Sequence, residues 1–332
     1  MEPNGLRTLL TGRGLLESPR WHGDRLYFSD WSAGEVLAVD LAGRSEVIAR
    51  VRSLPLCTAW LPDGHLVIVS SPDGRLLRRE PDGSLVTYAD LVGRSEVIAR
   101  VRSLPLCTAW LPDGHLVIVS SPDGRLLRRE PDGSLVTYAD LGRPGWNDIV
   151  VDGRGNAYVN AAGFNPMAGE EFRPGSVHLV TADGSVRQVA GDIAFPNGMT
   201  VTADNSTLIV ADSYRHQLVG FDIAADGGLS GRRVWADLGD GAPDGICTDA
   251  QDAVWYADVP NRRCVRVAAG GTVLQTVDLD RGGFACALGG PDGDTLFIVA
   301  AEWRGMTEAE MVPPGSGQVL TIDVEVPGAG WP

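Results

Sequence analysis

Four oxygen-bearing side chains recur at one place in a repeating pattern: Glu17 in ESPRW, Asn147 in NDIVV, Asn197 in NGMTV and Asp244 in DGICT. Asn147 and Asn197 are 50 residues apart, and Asn197 and Asp244 are 47 apart. Two carboxylates and two amides are hard oxygen donors, the kind that Ca²⁺, Mg²⁺ or Mn²⁺ prefer. His22, His65, His115, His178 and His216 all fall off this pattern, which weighs against a zinc-protease type of centre. Taken singly, Asn-Gly and Asp-Gly are ordinary turn pairs. The chain also uses Leu-Pro-Asp-Gly as a hairpin turn at 61–64 and 111–114. The functional reading therefore rests on phase: the four residues meet only if their segments are equivalent strands of a closed repeat.

The rest of the chain supplies such a repeat. Short runs rich in Val, Leu, Ile and Tyr (25–30, 35–40, 65–70, 75–79, 156–160, 207–211, 253–257, 295–300 and others) alternate with Gly, Pro, Asp and Asn turns. No 3.6-residue apolar period persists beyond about two turns. Strands at this spacing predict an all-β fold, and a unit of 40–50 residues selects a β-propeller. The innermost strands align as ESPRW from Glu17, LCTAW from Leu56 and again from Leu106, NDIVV from Asn147, NGMTV from Asn197, DGICT from Asp244, and CALGG from Cys286. In a propeller these strands start near the central axis at one mouth of the channel. The first strand, 6–11, has no hairpin of its own and is expected to close the ring beside the last unit.

One unit occurs twice. Residues 43–91 and 93–141 are identical over 49 positions, at an offset of 50. Identity of this degree implies a recent or deliberate duplication. Residues 1–332 are expected to form a single propeller domain, a six-bladed parent enlarged to seven blades. The alternative keeps six blades and extrudes or swaps the extra copy, leaving two apolar faces and an open sheet edge in water. Burying both faces is worth on the order of 10 kcal/mol at about 25 cal/mol per Å², which favours seven. The inserted period exceeds the neighbouring spacings of 39 and 41 residues. It therefore brings a surplus outer-strand candidate: 84–91 is followed directly by 94–101, and only one can be the fourth strand of its blade.

Bulk properties exclude several classes. The formal net charge is −15, so phosphate backbones are repelled and nucleic acid is not an expected partner. No apolar run reaches the length of a membrane span, and the first residues lack a signal-peptide pattern; the expectation is a cytoplasmic chain, monomeric or weakly dimeric, without a membrane partner. Five cysteines, with no CxxC pair, argue for reduced thiols rather than a disulfide framework.

The motifs GLLESPRW (14–21), WNDIVVDGRGNAYV (146–159), FPNGMTV (195–201), LIVADSY (208–214), APDGICTD (242–249) and VWYADVPNRRCVRV (254–267) together resemble the senescence-marker-protein (regucalcin)/gluconolactonase family. The resemblance implies a six-bladed parent with a divalent cation on the axis, Ca²⁺ foremost, with Mg²⁺, Mn²⁺ or Zn²⁺ as alternatives. It implies Glu17, Asn197 and Asp244 as metal ligands, and Asn147 in contact with substrate or with the metal through water. Asp212 in ADSY is assigned to the channel beneath the metal as a substrate-binding residue, with a surface turn as the other reading. The implied reaction is metal-assisted hydrolysis of a small-molecule lactone or ester, with Asp244 as general base and Asn147 orienting substrate. The arginine that binds the sugar lactone in animal members is matched here by Gly145, with Arg143 out of register, so the sugar itself is not carried over. Two other readings use the same residues: a phosphotriesterase-type hydrolase, and a calcium-binding or scaffold propeller whose activity the added blade impairs.

Overall fold

The computed structural model describes residues 5–330, apart from 52–53, 62, 72–74, 91–106, 121–123, 131–133, 143–144, 166–168 and 306–310. Its strands form seven four-stranded antiparallel sheets. Blades 1 to 7 in chain order span residues 16–50, 54–90, 108–140, 146–193, 196–237, 243–278 and 282–323. Their inner strands are Leu16–His22, Leu54–Trp60, Thr108–Trp110, Trp146–Val151, Pro196–Val201, Pro243–Thr248 and Gly282–Gly289. Five of these contain their whole aligned segment; Thr108–Trp110 contains the last three residues of the second LCTAW, and Gly282–Gly289 contains all of CALGG but its last glycine. Blade 7 borrows its outermost strand from the other end of the chain: Arg7–Arg13 pairs antiparallel with Gly317–Asp323. The N-terminal segment thus closes the ring, as expected.

The two identical copies show how period-two alternation builds this ring. In blade 2, Leu66, Ile68 and Leu77 face blade 1 and pack with Val36, Ala38 and Ile48. Val67, Val69 and Leu76 point the other way, as successive strand residues must. They meet Leu116, Ile118 and Leu127 of blade 3, which are the copies of Leu66, Ile68 and Leu77. The opposite face of blade 3, Val117, Val119 and Leu126, packs on Trp146, Ile149 and Val159 of blade 4. Duplication has therefore created one new interface, in which the two faces of the same blade pack against each other. Further clusters bridge blades 4 and 5, 5 and 6, 6 and 7, and 7 and 1. Each blade is covered on both faces, so the added blade is inserted in the ring and not extruded.

The copied segment does not begin at a blade boundary. Its first strand in the first copy, Ser45–Arg50, is the outer strand of blade 1, whereas Leu85–Asp90 is the outer strand of blade 2. The competing segment 94–101 lies outside the described residues. Outer strands mix exposed and buried positions, as in Val186–Ile193, while second strands such as Thr207–Asp212 are buried throughout. Among the described residues no helix is long and apolar enough to cross a membrane.

Candidate active site

A cavity of about 750 Å³ runs along the axis and is lined from all seven inner strands. Glu17, Asn147, Asn197 and Asp244 all line it. Four blades separated by long stretches of chain thus deliver the four residues that share one phase in the repeat. Asp212 does not share this cavity's lining. It is fully buried, and its carboxylate accepts the backbone N–H groups of Ala194 at 3.0 Å and Phe195 at 3.1 Å. Asp30 does the same in blade 1, accepting the N–H of Gly14 at 3.0 Å. In both, a carboxylate at the end of the second strand fixes the chain entering the inner strand.

A β-bulge aims the site residues. In blades 4, 5 and 6 the register skips one residue, between Trp146 and Ile149, Pro196 and Met199, and Pro243 and Ile246. Asn147–Asp148, Asn197–Gly198 and Asp244–Gly245 each occupy the place of a single residue on the partner strand, which bends the strand and redirects its side chains. In blade 1, Glu17 pairs with Ser29 just before the bulge, and Ser18 takes a left-handed φ of 53°, uncommon for a residue with a Cβ. Asn-Gly and Asp-Gly are therefore bulges within strands, not turns. Their glycines are demanded by crowding: a Cβ on Gly198 would lie 2.8 Å from the Asp244 carbonyl oxygen, and one on Gly245 would lie 2.8 Å from Cα of Ala285.

The electrostatics of the pair Glu17 and Asp244 follow from enclosure. Both line the cavity yet are surrounded by protein, so ionisation is poorly solvated. Burial, reinforced by the neighbouring Asp244 carboxylate, pushes Glu17 up to about 8. Burial pushes Asp244 up to about 7, opposed by a hydrogen bond from the Asn197 side chain. Two carboxylates held this way invite a positive charge between them. Among the described residues no three His, Cys, Asp or Glu side chains converge to hold a metal ion. The candidate set is two carboxylates completed by an amide, all oxygen donors, and it fits a hard divalent cation better than a soft one.

Several residues of the cavity lie outside the four that phase predicts. Asp148, the second bulge residue of blade 4, also lines it. Burial raises Asp148 to about 6, while N–H donors, including Met199 at 2.9 Å, and the charge of Arg20 oppose the rise. The signal was present in the dipeptide Asn-Asp, but only a bulge lets two successive residues face the same space. Asn160, on the second strand opposite this bulge, is fully buried. It accepts the Asp148 N–H at 3.2 Å and donates to the Asn197 carbonyl oxygen at 2.7 Å. Deeper in the channel Thr200 and Thr248 share a hydrogen bond of 2.7 Å. The duplicated thiols Cys57 and Cys107 line the wall beside Thr58 and Thr108, and burial pushes the Cys57 thiol up to about 11, away from nucleophilic use. His22 lines the channel at the far end of its strand and stacks on Trp60 with centroids 4.1 Å apart. All five cysteines are free.

A propeller whose inner-strand bulges bring Glu17, Asn147, Asp148, Asn197 and Asp244 to one axial cavity is the class that fold and site define. Residues 15–302 match the family model described as SMP-30/Gluconolactonase/LRE-like region, and the chain belongs to that family. It is 28% identical over 162 residues to a 6-deoxy-6-sulfogluconolactonase of Pseudomonas putida, covering 48% of this chain and 56% of that protein. It is 25% identical over 191 residues to a pentonolactonase of Haloferax volcanii, covering 55% and 64%. It is 31% identical over 186 residues to regucalcin of Xenopus laevis, covering 53% and 61%. Each match spans less than two thirds of the relative's length. Among solved structures, a calcium-binding regucalcin from Agrobacterium tumefaciens superposes with a TM-score of 0.64 at 20% identity, covering 98% of this chain and 96% of that one. A virginiamycin B lyase from Staphylococcus aureus superposes with a TM-score of 0.70 at 11% identity, covering 96% and 99%. At these identities the structural likeness speaks for the propeller alone.

Proposed function

We propose that the chain is a divalent-metal-dependent lactone hydrolase. The observation that carries this reading is the convergence of Glu17, Asn197 and Asp244, each placed by an inner-strand bulge or its edge, on one axial cavity. The lactonases among the relatives support it. A cation held by those three residues would polarise a lactone carbonyl and acidify water.

The chain's own groups supply the rest. Asn147, on the adjoining blade, orients the substrate through its amide; its Nδ2 now donates to the Pro196 carbonyl oxygen at 3.3 Å. The Asp244 carboxylate, restrained by Asn197, accepts a proton from the attacking water. The water oxygen bonds to the carbonyl carbon, the ring carbon–oxygen bond breaks, and the departing ring oxygen takes up a proton, giving a hydroxy acid. Asn160 and Asp212 act as positioning residues through the backbone of 194–197.

The test is a lactone panel assayed with EDTA and with added Ca²⁺, Mg²⁺, Mn²⁺ or Zn²⁺, beside thermal melts under the same conditions. Metal-dependent turnover together with a metal-dependent rise in Tm is expected. Metal-dependent melting without turnover on any lactone would favour the calcium-binding reading, and turnover confined to phosphotriesters the other hydrolase. If neither metal nor EDTA moves melting or hydrolysis, the metal-lactonase reading is wrong.

A further inference from the structure

Beside Asn197 the mouth of the cavity carries an aromatic wall that neither the metal set nor the ring needs. Phe195 lines the cavity two residues before Asn197. Tyr214 stacks on it with centroids 4.7 Å apart and planes 15° from parallel. Phe164 stands 6.1 Å from each of these rings and 5.4 Å from Phe172. All four lie at the same end of blades 4 and 5, since the second strands of both blades end where the inner strands begin.

This cluster is not simply core. Phe172 is 53% exposed and Tyr214 is 44% exposed, and among the described residues they are the only aromatics of the Phe, Tyr and Trp kind classed as exposed. Of the four, Phe195 lines the cavity, and the exposed rings join it through ring contacts; exposed aromatic surface gathered at one spot beside a cavity marks a contact site and not a stray side chain. Backbone hydrogen bonds tie the Phe195 and Tyr214 segments together. Asp212 accepts the Phe195 N–H, and Ser213, next to Tyr214, donates its N–H to the Phe195 carbonyl oxygen at 3.1 Å. Apart from the Tyr214 hydroxyl the wall presents ring carbon. An aromatic or branched-alkyl group seated against it would bury apolar area at about 25 cal/mol per Å², more than a polyhydroxylated ring, which has only its C–H faces to offer. The cavity volume of about 750 Å³ also falls within the range of sites that take drug-sized ligands.

We propose that the mouth selects lactones bearing an aromatic or branched-alkyl ring substituent, seated against Phe195, Tyr214, Phe164 and Phe172 with the carbonyl toward Asn197 and Asp244. The inference rests on the lactone-hydrolase reading for its chemistry and on the wall for its specificity.

Two measurements separate them. In the first, the metal-loaded protein is assayed on γ-phenyl-γ-butyrolactone, γ-butyrolactone and D-glucono-δ-lactone. The phenyl lactone should show the highest kcat/KM. Phe172→Ala and Tyr214→Ala remove the two exposed rings, and each should reduce the preference for phenyl over unsubstituted lactone by roughly tenfold. In the second, the hydrolysis-resistant γ-phenyl lactam is titrated in a thermal shift, and its stabilisation should weaken in both variants. Preference for the glucono lactone, with ratios unmoved by either variant, overturns the inference and leaves the hydrolase reading standing. Lactam stabilisation that depends on Phe172 and Tyr214, without turnover of any lactone, sustains the aromatic site and overturns the hydrolase reading. Absence of both overturns both.

Discussion

Asn160 and Asn197 are joined across two blades: the Asn160 side chain donates to the Asn197 carbonyl oxygen at 2.7 Å while accepting the Asp148 N–H at 3.2 Å. One buried amide therefore ties the bulges of blades 4 and 5 together and sets the direction of two channel residues. Replacing it with alanine strands a donor and an acceptor, at about 1–3 kcal/mol. Asn160→Ala should lower Tm and weaken divalent-cation affinity by roughly tenfold or more, as loss of residues that orient metal ligands does. Calorimetric titration with Ca²⁺ and a parallel melt check this. Unchanged affinity in a folded variant would show that the brace does not serve the site.

Asp244→Ala should abolish divalent binding and leave the fold intact, because the residue faces the cavity and supports no strand pairing other than through its backbone. Circular dichroism should match the parent, and the metal-dependent rise in Tm should vanish. Retained affinity would refute its assignment as a ligand.

Stability without metal should depend on pH through Glu17 and Asp244. Their folded values, about 8 and about 7, lie above their ordinary values of 4.5 and 3.8. Between roughly pH 4 and pH 8 the folded chain thus binds more protons than the unfolded chain, so stability falls as pH rises across that window. A cation competes with the same protons, so apparent metal affinity should climb over the same range. Melts of EDTA-treated protein at pH 5, 6, 7 and 8 should show a declining Tm, and Glu17→Gln should flatten the decline. A flat profile in the parent chain would contradict the enclosure of this pair.

Gly198→Ala should separate two inner strands. The added methyl would meet the Asp244 carbonyl oxygen at 2.8 Å and the Ile246 nitrogen at 2.9 Å. Both are backbone atoms that cannot swing aside. A loss of about 1–3 kcal/mol is expected for such overpacking, read as a lower urea midpoint, together with weaker metal binding as Asn197 and Asp244 move apart.

Deleting residues 92–141 rejoins Leu91 to Gly142 and recreates the Leu-Gly junction already present at 141–142. The faces that would then meet are those of blade 2 and blade 4, and blade 3 already makes the same contact with blade 4 using an identical sequence. The shortened chain of 282 residues should fold as a six-bladed ring with a smaller radius of gyration and bind divalent cations more tightly. Small-angle scattering and calcium titration measure both. Aggregation, or weaker binding in a folded product, would show that the site belongs to the seven-bladed ring.

Much of this architecture was legible in the sequence because its determinants are local. Alternating apolar runs with Gly, Pro and Asp turns specify strands, and a repeat of 40–50 residues specifies blades. Phase alone placed Glu17, Asn147, Asn197 and Asp244 on one end of equivalent strands, and all four line the axial cavity. What stayed hidden depends on partners distant in the chain. Asp212 reads like a channel residue from its motif, yet its direction is set by the N–H groups of Ala194 and Phe195. Asp148 and the purpose of Gly198 and Gly245 are products of bulges, and a bulge is a relation between two strands, not a property of one.

The duplicated blade divides the same way. Its identity and its surplus residues are matters of sequence alone. Whether it enters the ring was decided by tertiary packing: Val67, Val69 and Leu76 of one copy meet Leu116, Ile118 and Leu127 of the next. Sequence determined which residues are apolar and which carry oxygen. The closed ring determined which of them face one another, because a blade buries both faces only when a neighbour stands on each side.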